Sequence, residues 1–121
     1  MKTKQRTDKA QSKRLLEIGL NPRTASDEID SDTPSWTIGD LIDLLPTKPF
    51  GNNVCRGQAS SVRYNVSKFT EIDDASVDDD SYEVIMMDYI TNKEIQSVIS
   101  PFLIDALFDM CEFVFCELKN N

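Results

Sequence analysis

Six carboxylates crowd ten residues in Glu71-Ile72-Asp73-Asp74-Ala75-Ser76-Val77-Asp78-Asp79-Asp80. Oxygen-rich loops of this kind suit calcium or magnesium, hard cations that prefer carboxylate ligands. This one lacks the alternating acidic ligands, the turn glycine and the closing glutamate of an EF-hand, so it reads as a solvated connection. A second set, Asp105, Asp109 and Glu112, is spaced four and three residues apart, which places all three on one side of a helix. Such a triad can bind a metal or move a proton, but the outward acids of any amphipathic helix have the same spacing. We therefore assign no catalytic, cofactor-binding or metal-ligating residue, and no cofactor.

The thiols give no stronger signal. Cys55, Cys111 and Cys116 form no C-x-x-C pair, and an odd number cannot pair fully within one chain, which suits a reducing compartment. On a helix Cys111 falls on the apolar side and Cys116 among the acids, where a nucleophilic thiolate is not favoured. The chain has no histidine, which removes Ser-His-Asp and Cys-His catalysis and the common histidine-containing zinc sites. No G-x-G-x-x-G, phosphate-loop or G-x-S-x-G pattern occurs. The reading is non-enzymatic.

Length allows one domain, 1–121, with a single core. Its apolar runs are far shorter than the ~20 residues of a membrane span, and the opening MKTKQRTDKAQSKR has no apolar signal core, so a cytoplasmic protein is expected. Charge is divided unevenly. Residues 1–23 hold Lys2, Lys4, Arg6, Lys9, Lys13, Arg14 and Arg23 against Asp8 and Glu17, a surplus of five; the rest carries −13, for a net −8. Residues 1–10 read as a mobile basic arm. They lack the interleaved aromatics of a nucleic-acid tracker and adjoin an anionic body that repels phosphate, so neither nucleic acid nor membrane is expected as a partner.

The elements that must position these groups follow from pattern. Thr7 is read as the cap of a first helix running to Ile18, closed by Gly19 in the left-handed position with Leu20 packing back on Leu15. Asn21-Pro22 restarts a short turn, and SDEIDSDTPS at 26–35 reads as a connection. In Trp36-Thr37-Ile38-Gly39-Asp40-Leu41, Thr37 and Asp40 form a capping-box pair while Trp36 and Leu41 form a hydrophobic staple; Pro46 ends that helix. Residues 46–60 are turn-rich, with a short edge strand near Val54-Cys55. Alternation then gives strands over 61–69, 81–90 and 94–99, the middle one apolar on both faces and so central. Finally SPFLIDALFDMCEFVFCELK, 100–119, reads as one long helix with Ser100 as cap and Pro101 at its first position. Leu103, Ala106, Leu107, Met110, Cys111, Val114 and Leu118 form its apolar face. The fold class is α+β: a two-layer single domain in which a short antiparallel meander packs against N-terminal helices and this C-terminal helix.

Three stretches, LLEIGLNPRTAS at 15–26, PSWTIGDLIDLLP at 34–46 and SPFLIDALFDMCEFVFCELKNN at 100–121, together resemble a group of small uncharacterised proteins encoded by gut Bacteroidetes and their phages and mobile elements. The match covers somewhat under half the chain and departs from the group at Thr37, where serine is usual, and in the absence of tryptophan from the closing helix. The resemblance implies a small cytoplasmic domain and carries over no activity or functional residues.

Phe102 and Phe113 widen the apolar arc of the last helix on one flank, and Phe108 and Phe115 on the other. These four phenylalanines are the candidate interaction surface. The function expected is a non-enzymatic protein-interaction domain of a phage or mobile element, binding an unknown protein partner or a second copy as a homodimer. An acidic, nucleic-acid-mimicking inhibitor of a DNA-binding protein is the alternative, and a carboxylate-metal enzyme stands third.

Overall fold

Two reciprocal hydrogen-bond pairs start the first two helices. The computed structural model describes residues 4–47, 61–70, 80–89 and 91–118. In α1 (Lys9–Glu17) the backbone N–H of Gln11 donates to the Asp8 carboxylate while the Asp8 N–H donates to the Gln11 side chain, a capping box. Asp8, not Thr7, is therefore the cap. The Thr7 hydroxyl is buried instead, within 2.8 Å of the Ser12 hydroxyl and accepting the Trp36 N–H at 3.0 Å. The Thr7 N–H donates to the Trp36 carbonyl and the Ile38 N–H to the Gln5 carbonyl, so residues 5–7 run against 36–38. Within the stretch expected as a basic arm, residues 5–7 are joined to the body by backbone pairing and a buried hydroxyl cluster.

The end of α1 follows the sequence reading: Gly19 has φ +104°, its N–H donates to Leu16, the Leu20 N–H donates to Leu15, and both Leu15 and Leu20 are buried. A single 3₁₀ turn, Pro22–Thr24, leads into a hairpin of β1 (Asp27–Ile29) and β2 (Thr33–Ser35). The stretch 26–35 is therefore not a plain connection. Asp30 and Ser31 both adopt positive φ, 56° and 65°, the twist that a tight hairpin turn demands. In α2 (Ile38–Leu44) Asp40 and Thr37 exchange the expected pair of bonds, and Trp36 and Leu41 are both fully buried.

The second half is a meander, β3 (Val62–Thr70), β4 (Asp80–Asp88) and β5 (Glu94–Ser100), antiparallel with β4 central, as expected. The expected edge strand at 54–55 lies outside the described residues, as does the acidic loop 71–80 apart from Asp80, which begins β4. A register shift opposite Met86 and Met87 places Ile95 on the core side with Val98, although simple alternation puts positions 95 and 98 on opposite faces. Because β5 extends through Ser100, the last helix begins later than expected. Helix α3 runs Leu103–Glu112 and widens to π-helical turns over Phe113–Leu118. Phe102 is its cap position, and the Ser100 hydroxyl accepts the Phe102 N–H, ahead of the helix.

The core joins these halves. Trp36, Leu41, Val84, Met86, Ile104, Leu107, Met110 and Val114 are fully buried in one cluster, with the Trp36 indole N–H donating to Thr24 Oγ1 at 2.9 Å. Ile104 and Phe108 join the buried face of α3 and Leu103 is only half-buried, because both the sheet and α2 pack on this helix and demand a wider apolar arc than one partner would. The chain is a small α+β domain with a C-terminal helix.

Candidate functional site: a charged seam and an uncovered sheet face

The N-terminal segment occupies two of the three helix acids. Lys4 Nζ donates to Asp105 at 2.7 Å and to Asp8 at 3.1 Å, and Gln11 Nε2 donates to Asp105 at 2.7 Å. Arg14 Nε donates to Glu112 at 2.6 Å. Partial desolvation of Lys4 opposes its charge, yet the hydrogen bonds and attraction of Asp105 and Asp8 outweigh it and hold the ammonium above its usual range. The basic opening and the acidic body are thus one arrangement in which α1 is tethered along the last helix. Asp109 stands exposed between the two paired acids. Desolvation first, then the charges of Glu112 and Asp105, raise its carboxyl. Among the described residues no three His, Cys, Asp or Glu side chains are grouped to hold a metal ion.

The two described thiols differ in setting. Cys111 is buried beside the Leu41 carbonyl, and burial pushes its thiol up to about 12. Cys116 is half-buried and receives a 3.5 Å contact from Arg14 Nη2, a neighbour that a helical wheel cannot reveal because Arg14 lies 102 residues away. Asp40 accepts bonds from two residues, Ser26 and Thr37. Desolvation acts to raise it, but donors from Ser26 and Thr37 prevail and lower it, so that one side chain caps α2 and holds the chain entering β1.

The four phenylalanines are placed mostly inward. Phe108 is 9% exposed, and Phe102, Phe113 and Phe115 are half-buried against the core. The helix does not bring them together as an open patch. The sheet offers one instead. Its inner face carries Val62, Val84 and Met86 to the helices, and by alternation its outer face carries Ile85 and Met87, both half-buried, and Ile99 at 58% exposure. None of these three outer residues belongs to the core cluster or packs against it, and Tyr89 beyond them is 64% exposed. Sequence alternation placed Ile85, Met87 and Tyr89 on one face but read that face as buried. The signal that it is wet lies on the flanking strands, where Asn65, Ser67 and Ser97 share the same side.

No helix among the described residues is long and apolar enough to cross a membrane. No family model matches the chain, and no curated protein or solved structure is found similar to it.

Proposed function

We propose that this chain is a non-enzymatic protein-interaction domain that works in the cytoplasm, in the phage or mobile-element setting its sequence resemblance implies. The observation that carries the reading is the outer face of β3, β4 and β5, where Ile85, Met87 and Ile99 form an apolar strip outside the core. Apolar surface left in water on a small domain costs free energy in proportion to its area, and its covering by a partner recovers it. The competing use of the molecule, chemistry on the acidic stripe of α3, has less support, since Asp105 and Glu112 are already engaged by Lys4, Gln11 and Arg14.

Affinity capture with the wild-type chain and with I99K as baits tests this reading. Proteins retained by the wild type and lost with I99K are expected, with both baits melting alike. Retention unaffected by I99K and by a second outer-face variant, M87K, contradicts it.

A further inference from the structure

The strand register fixes which side chains share each level of the outer face. Arg63 of β3, Met87 of β4 and Glu94 of β5 form one level; Asn65, Ile85 and Ser97 form the next; Ser67, Glu83 and Ile99 the third. Charge and polarity are thus arranged about the central strand, basic on one edge and acidic on the other at the Met87 level. Neighbouring strands lie about 4.8 Å apart, so Arg63 and Glu94 of one chain are separated by about 10 Å with Met87 between them. They make no ion pair with each other; the Arg63 guanidinium donates one bond to Asn92 Oδ1 at 2.7 Å, which leaves most of its five donors uncommitted.

A two-fold axis lying along β4, between two facing copies, exchanges the outer strands and keeps the levels. Arg63 of each copy then meets Glu94 of the other, Asn65 meets Ser97, and Met87 and Ile85 stack on their own counterparts across the axis. Face-to-face sheets pack about 10 Å apart and close to aligned, a gap that an arginine and a glutamate span from opposite sides. The alternative axis, across the strands, sets Arg63 over Ser67, Met87 over Glu83 and Glu94 over Ile99, leaving the charges unmatched and apolar groups facing acids. The first arrangement alone pairs the opposite charges and stacks Met87 and Ile85 on their counterparts, and it sets Ile99 of each copy over Ser67 of the other. Its single like-charge meeting is Glu83 with its own counterpart, at the third level.

Resting on the interaction reading above, we infer that the partner on this face is a second copy of the same chain, in an isologous sheet-on-sheet dimer with two Arg63–Glu94 pairs. A two-fold interface doubles every substitution. R63E or E94R therefore replaces two attractions by two repulsions at once, and E83Q removes a repulsion.

Sedimentation equilibrium on the full chain tests this, with melting curves confirming that each variant folds. The wild type is expected to dimerise reversibly at high chain concentration, R63E and E94R each to weaken association on the order of tenfold, and E83Q to strengthen it. The double variant R63E/E94R restores the homodimer, and an equimolar mixture of the two single variants recovers a mixed dimer. A wild type that stays a lone chain at millimolar concentration overturns the inference, as does a dimer indifferent to R63E and E94R. If the dimer fails while I99K still abolishes capture of another protein, the interaction reading stands and only the second copy is wrong; if both fail, so does the reading beneath.

Discussion

Met86 and Met87, adjacent in β4, occupy opposite worlds: Met86 is fully buried under α3, while Met87 lies on the outer face with Asn65 Nδ2 donating to its sulfur at 3.2 Å. Strand alternation alone separates them. The expected energetic contrast is large. M86A removes a filled core position and should destabilise by about 2–5 kcal/mol, whereas M87A should stay within about 0.5 kcal/mol, both read from urea unfolding.

Backbone handedness gives a second pair of opposed expectations. Gly19 sits at φ +104° with open space around its α-carbon, so G19A should cost about 1 kcal/mol through conformation and not through collision. Ser31, at φ 65°, carries the converse strain, and S31G should raise stability by about 0.5 kcal/mol. Opposite shifts in thermal midpoint, downward for G19A and about half as large upward for S31G, are the readout.

Acid should act on the molecule through Asp40. Its folded carboxyl is depressed below the ordinary 3.8, so its stabilising contribution is complete above that value and lost as pH falls through the folded value. D40A should cost about 1 kcal/mol at neutral pH, as expected for a lost cap, and should show a shallower decline of stability below about pH 4 than the wild type. Identical slopes for the two would contradict the assignment.

Asp109 has the reverse sign. Raised in the folded chain by desolvation and then by Glu112 and Asp105, it opposes folding when ionised and ceases to do so as pH falls below its unfolded value. D109N should therefore stabilise at neutral pH by a few tenths of a kcal/mol, the size of a like-charge helix pair, and the gain should vanish in acid. A destabilised D109N at pH 7 would mean that the carboxylate has a donor.

Much of the fold was legible where local chemistry and tertiary need coincide. Gly19 with Leu20, Thr37 with Asp40, and Trp36 with Leu41 each signal an element boundary through residue type alone, and all three stand as read. What escaped depended on distant partners. Thr7 looks like a cap but is recruited by Ser12 and Trp36; Ser100 looks like a cap but is taken by β5; 26–35 looks like a connection because Asp30 and Ser31 bear positive φ without glycine. A wide aromatic arc on a helix marks either an open patch or two covering layers, and here α2 and the sheet both pack on that helix, while the outer strand face carries exposed Ile99 and Tyr89.

The opposed methionines also provide the most direct measurement of what covers that face. Under mild peroxide, followed by peptide mass analysis, Met87 should oxidise readily in dilute protein while Met86 is spared, and protection of Met87 should grow with chain concentration in the wild type but not in R63E. Oxidation of Met87 that is independent of concentration in the wild type, or as slow as that of Met86 at every dilution, would contradict an outer sheet face built to meet its own copy.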